Sequence, residues 1–152
     1  MGVILEILGN RVIQAAALAW AVAQALKVML TLAISRRFDK SRVLGSGGMP
    51  SSHSAMACAM LMTIGFREGF SSSIFALAFC FSGVVMYDAA GVRRAAGKQA
   101  AKINRIIKHL MEKSSDYQDT EKQLRELLGH TPLEVVAGAL LGIIIAILWV
   151  LF

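Results

Sequence analysis

Two histidines sit where apolar runs begin. In GHTPLEV, His130 and Glu134 are four positions apart, one turn of helix, so the carboxylate can reach the imidazole and fix its tautomer and orientation. A histidine held in that way is a candidate nucleophile. In GGMPSSHSA, His53 follows Pro50, Ser51 and Ser52 immediately before a charge-free stretch. Between them, DAAGVRRAAGK supplies Asp88, Arg93, Arg94 and Lys98. Arginine suits a phosphate, because its planar fork donates paired hydrogen bonds and stays charged. Asp88 is placed to pair with one of these arginines or to mark the membrane interface. Each motif alone is also what a solvated helix start or a basic flank looks like, so only their convergence carries weight.

Convergence is a matter of the elements that hold them. Val12 to Ser35 is almost continuous Ala, Leu, Val and Ile, long enough at 1.5 Å per residue to cross about 30 Å of hydrocarbon. Lys27 interrupts it, and such a cation snorkels to the interface or faces a polar interior. Ser52 to Phe66 and Ser73 to Tyr87 flank a short turn and predict an antiparallel helical hairpin, with Gly65 near the first end and Ser71 to Ser73 capping the second helix. Val135 to Phe152 is apolar to its end. The expected fold is all-α: one polytopic integral membrane helical bundle over residues 1–152, about four transmembrane spans, with amphipathic helices in the connection after the third.

In that connection, Ile103, Ile106, Ile107, Leu110 and Met111 fall on one helical face, with Lys98, Lys102, Arg105, Lys108 and Lys113 around the rest. Such a helix lies among headgroups or packs on its own spans. DTEKQLRELL predicts a second short helix from about Asp119 or Thr120 to Gly129. With four alternating spans, His53, Asp88, Arg93, Arg94, His130 and Glu134 all reach one membrane face. Two helix starts there, one capped by Ser51 or Ser52 and the other by Thr131 with Pro132 in its first turn, would aim free N–H groups and positive dipole ends at one spot.

Composition agrees. Of 152 residues, 56% are hydrophobic and 17% charged, with a mean hydropathy of +0.59, which excludes an ordinary soluble domain. The net charge of +6 points to the cytoplasmic face and its anionic lipids rather than to nucleic acid. Cys58 and Cys80 lie in apolar runs and predict no disulfide. The opening MGVILEILGNR lacks the basic leader of a removable signal peptide. Arg36, Arg37, Lys40, Arg42, Arg93, Arg94 and the basic helix share one side, against Arg11 and Arg67 on the other. By the positive-inside rule the loaded side, and the site with it, faces the cytoplasm of an inner or plasma membrane, both termini opposite.

GGMPSSHSA, DAAGVRRAAGKQAAKIN and LGHTPLEVVAGALLG, in that order, resemble the three motif blocks of the divergent branch of the type 2 phosphatidic acid phosphatase superfamily, relatives of acid phosphatases and vanadium haloperoxidases. The resemblance implies a metal-independent, cofactor-free hydrolysis of a membrane lipid phosphate, such as phosphatidic acid or phosphatidylglycerophosphate. It makes His130 the nucleophile that forms a phosphohistidine, His53 the general acid, Glu134 the partner of His130, and the amides and hydroxyls of Ser51 and Ser52 phosphate ligands. The sequence departs from the superfamily pattern in Ser52, where a glycine is usual, and in Glu134, where an aspartate is usual. The opening Lys and Arg-Pro signature is absent, with Lys27, Arg36 and Arg37 as imperfect stand-ins, and no Ser-Arg pair precedes His130. Arg93 and Arg94 are expected to take over, with Lys98 beyond them and Asp88 in support. The rival class is a membrane scaffold or lipid- or phosphate-binding protein that keeps an anion pocket without turnover. The oligomeric state, a homo-oligomer included, stays open.

Overall fold

The computed structural model describes residues 2–35, 48–111 and 129–152, and every regular element among them is helical. The loop carrying Arg36, Arg37, Lys40 and Arg42, the second short helix expected from Asp119 or Thr120, and Lys113 lie outside the described residues. A short helix α1 (Gly2–Gly9) leads to α2 (Arg11–Ser35), whose start is capped by Asn10: its Oδ1 accepts the N–H groups of Val12 at 2.9 Å and Ile13 at 3.3 Å. Then come α3 (Ser52–Glu68), α4 (Ser73–Tyr87), a π turn (Asp88–Val92), α5 (Arg93–Met111) and α6 (Pro132–Leu151).

All four apolar runs are helices. Three stretches are long and apolar enough to cross a membrane, Arg11–Ala33, Ser73–His109 and Pro132–Leu151, so the protein is a polytopic helical membrane protein. The fourth, α3, has 17 residues, about 25 Å at helical rise. It is the central helix, with α2, α4 and α6 packed around it.

The packing uses small residues, as expected where lipid tails remove the usual hydrophobic gain between helices and close backbone approach supplies the attraction. On α2, Ala15, Ala19, Ala23 and Lys27, each four residues apart, are buried. Ala19 and Ala23 meet Ala55 and Ala59 of α3 and Ile145 and Ala146 of α6. Helices α3 and α6 run parallel, offset so that Gly138 faces the Ser51 carbonyl and Gly142 the Ala55 carbonyl; a Cβ on either glycine would collide with that oxygen. Helix α2 runs against α6, since the Arg11 guanidinium lies 5.1 Å from the Trp149 ring centroid at the far end.

The hairpin is present, with one change in its chemistry. Helix α3 ends at Gly69, whose φ of 89° is the left-handed conformation glycine adopts without strain. Gly65 lies a turn inside, where its missing Cβ makes room for Phe70. Ser72 caps α4, accepting the Phe75 N–H at 3.2 Å and donating to the Gly69 carbonyl at 2.7 Å. Helix α4 is tied back to α3 where the Ser82 hydroxyl donates to the Ala57 carbonyl at 3.1 Å.

The larger difference lies beyond α4. The chain does not break into a loop there; the helix continues through the π turn into α5, a run of 37 residues from Ser73 to His109. The basic amphipathic helix is therefore an extension of the third apolar helix. Among the described residues its main packing is against the π turn from which it grows, while Ile103 and Ile106 are exposed.

Candidate functional site

The first turns of α3 and α6 lie side by side because the Ser51 N–H donates to the Glu134 carbonyl at 3.0 Å. That bond and the Gly138 contact set the register of the two histidine-bearing helix starts. Helix α4 ends at the same face, since the His130 N–H donates to the Ala89 carbonyl of the π turn at 3.1 Å. Gly129, just before, lies against the backbone of Arg93 and Arg94, where a Cβ would collide with the Arg94 nitrogen.

His130 is only 3% exposed. Its Nδ1 lies 3.1 Å from Glu134 Oε2, and a carboxylate only accepts, so Nδ1 carries a hydrogen and, in the neutral imidazole, Nε2 carries the lone pair. Nε2 is buried and has no hydrogen-bond partner among the described residues. This is the tautomer and the free atom a nucleophilic imidazole needs. The same Oε2 accepts the Thr131 N–H at 2.9 Å, while the Thr131 hydroxyl accepts the Glu134 N–H at 3.4 Å, completing a capping box. A glutamate three residues past the cap is the length that closes such a box, which gives Glu134 a structural reason for standing where the superfamily pattern has aspartate.

The capping box changes one expectation. The N–H groups of His130, Thr131 and Glu134 are taken within the protein, by Ala89, Glu134 and Thr131, and Pro132 has none, so fewer N–H groups at this helix start are left for a ligand than at a bare one. Helix α3 differs. Ser51 accepts the Ser54 N–H at 3.4 Å and the Ser54 hydroxyl at 3.0 Å on its Oγ, and its own N–H is taken by Glu134. Ser51 thus caps and ties. The first-turn amides of Ser52 and His53 have no intrahelical carbonyl to bond, as helix geometry dictates, and they are the backbone donors the site offers.

His53 is exposed, yet its imidazole is held below the ordinary value of 6.5. Partial loss of water contributes most, followed by the positive fields of Arg93, His130 and Lys27, with Asp88 opposing. Those four groups, contributed by α2, the π turn, α5 and the approach to α6, are therefore gathered around His53. Arg94, half-buried, and Lys98, exposed on α5, are not among the charges acting on it. Arg93 is held by an ion pair, its Nε 2.6 Å from Asp88 Oδ2.

Lys27 is the residue whose place the sequence undersold. Snorkelling or a polar interior were both open; the structure buries it to 2% exposure at the level of His53, as the last member of the buried α2 stripe. The four-residue spacing Ala15, Ala19, Ala23, Lys27 was the available signal, since it puts the cation on the helix's packed face.

The site and the fold together define a polytopic membrane protein with two histidines, a carboxylate and a cluster of cations at one bundle end. The chain belongs to the Divergent PAP2 family, whose pattern matches residues 8–145. It is 37% identical over 156 residues to the uncharacterized membrane protein YuiD of Bacillus subtilis (strain 168), an alignment covering 97% of this chain and 99% of that one. No solved structure matches.

Proposed function

We propose that the protein is a lipid phosphate phosphatase of the membrane, acting through a phosphohistidine on His130. One observation carries this reading: the buried His130 Nε2 with a free lone pair, its other nitrogen fixed by Glu134. In the first step Nε2 attacks phosphorus and the P–O bond to the lipid breaks, the departing oxygen taking a proton from His53. In the second, water attacks the phosphohistidine and gives a proton to His53; the N–P bond breaks, and inorganic phosphate leaves. Phosphoryl transfer asks little beyond positioning and charge neutralisation, which the Ser52 and His53 amides, Arg93 and Lys27 supply.

A monoester such as phosphatidic acid or phosphatidylglycerophosphate fits a site at the rim of a membrane bundle, reached sideways from the leaflet. The described cations at this end, Arg93, Arg94, Lys98, Lys102, Arg105 and Lys108, against Arg11 and Arg67 at the other, support a site on the cytoplasmic side with anionic lipids around it. The test is phosphate release from these lipids by purified protein, with His130→Ala and His53→Ala as controls. Activity equal in all three forms overturns the site.

A second reading, phosphate or lipid binding without turnover, is favoured by the engagement of Ser51 N–H and Oγ inside the protein. Acid-labile phosphate on His130 after quenching with labelled substrate separates the two, since only the enzyme forms it.

A further inference from the structure

The π turn is the least expected feature of the chain, and it lies beside the site. A π turn bonds each carbonyl five residues ahead, and such turns interrupt α-helices mostly at functional positions. Here the Arg93 N–H donates to the Asp88 carbonyl in that pattern, while the Ala89 carbonyl accepts the His130 N–H. The irregularity thus docks the backbone of the candidate nucleophile.

It also has a side-chain consequence. In an uninterrupted α-helix, residues five apart are rotated by roughly 140° about the axis and do not meet. The wider turn brings Asp88 and Arg93 onto one side, and Arg93 Nε lies 2.6 Å from Asp88 Oδ2. Both side chains are well exposed, 38% and 57%, and exposed pairs of this kind add little to stability. What the pair does is restrain one edge of the guanidinium. The contact engages Nε and leaves the terminal amino groups to donate to an oxyanion. Arg93 and Asp88 both act electrostatically on His53, so the restrained pair lies near that histidine.

We propose that Asp88 is a positioning residue: through the π turn it holds Arg93 by Nε so that the rest of the fork meets the phosphoryl group between His53 and His130. This rests on the phosphatase reading of the site. It makes a prediction opposite in sign to simple electrostatics. Deleting a negative charge beside an anion site should tighten anion binding, whereas loss of positioning should weaken it.

The experiment is orthovanadate binding to the purified full-length protein, followed by vanadium NMR, for the wild type, Asp88→Asn, Asp88→Ala, Arg93→Ala and the double variant Asp88→Ala/Arg93→Ala. The expected result is about a tenfold or greater weakening in Asp88→Ala and Arg93→Ala, the scale of one charge-assisted hydrogen bond. Asp88→Asn, which keeps an acceptor for Nε, falls between, and the double variant is no weaker than Arg93→Ala alone. If Asp88→Ala does not yield folded protein, Asp88→Asn decides by the same criterion. Equal or tighter binding in the Asp88 variants, with Arg93→Ala weakened, overturns the positioning role and leaves the phosphatase reading intact. Additive losses in the double variant also overturn it. No vanadate binding by the wild type overturns the reading beneath it, and the proposal with it.

Discussion

Glu134 does two tasks with one oxygen: Oε2 receives the His130 Nδ1–H and the Thr131 N–H. Glu134→Gln keeps the size, but its amide offers one acceptor and two donors, so the amide oxygen must still satisfy both N–H groups without a charge. Under the phosphatase reading, turnover should fall by about 10²-fold or more while the helix survives; Glu134→Ala should also cost roughly 1 kcal/mol of stability through the lost cap. Paired rate and thermal-unfolding measurements check both halves. His53 carries a second prediction. As the proposed general acid it must be protonated, and its lowered pKa means that form is lost below the ordinary 6.5, so under the phosphatase reading kcat/KM should decline with rising pH from below that value. Arg93→Gln removes one of the cations that depress it and should move this limb upward, while lowering the plateau. A limb that does not move in a still-active variant separates His53 from the observed titration.

The elements explain which parts were legible. The i, i+4 spacing of His130 and Glu134, the hairpin of α3 and α4 and the small-residue character of the spans are local patterns, and local patterns survive into structure. What the sequence withheld is tertiary. The π turn has no composition cue in DAAGV; it exists where the Ala89 carbonyl finds its partner across the bundle, in the N–H of His130. The consumption of the α6 donors by its capping box was implicit in HTPLE but competed with the simpler expectation of a free helix start. The spacing from Ala15 to Lys27 puts the cation on the packed face of α2, but its nearness to His53 could not be read without knowing where α3 begins. The seam between α3 and α6 gives the element-scale prediction. Gly138→Ala or Gly142→Ala puts a methyl into a backbone carbonyl of α3, so each should cost about 1–3 kcal/mol by overpacking. Gly83→Ala on α4, where a Cβ meets nothing within 4 Å, should be tolerated. Denaturation in detergent ranks the three. Because Gly138 faces Ser51 directly, its substitution should also disturb the Ser51–Glu134 tie and lower activity more than Gly142→Ala does at equal stability loss.

At the scale of the whole molecule, the bundle is asymmetric in charge. At one end lie the site and the root of α5, a helix of 19 residues with six Lys and Arg and no acidic residue; at the other lie Arg11 against Trp149 and the tight turn at Gly69. In an anionic, negative-inside membrane each basic residue near the surface favours the cytoplasmic leaflet by about 1 kcal/mol, so the cation excess at the site end outweighs the two arginines opposite. A cysteine placed at Lys98 should then react with a membrane-impermeant maleimide only after cells are opened, and one placed at Glu68, beside the Gly69 turn, should react in intact cells. Native Cys58 is buried and Cys80 lies in the middle of the apolar helix α4, so a Cys80→Ser background leaves the added thiols as the reactive ones. The reverse pattern would set the site on the outer face and remove cytoplasmic-leaflet lipids as substrates. Labelling of both positions from one side would break the bundle topology itself, because α3 and α6 start together at the site and the Gly69 turn lies at the far end of α3.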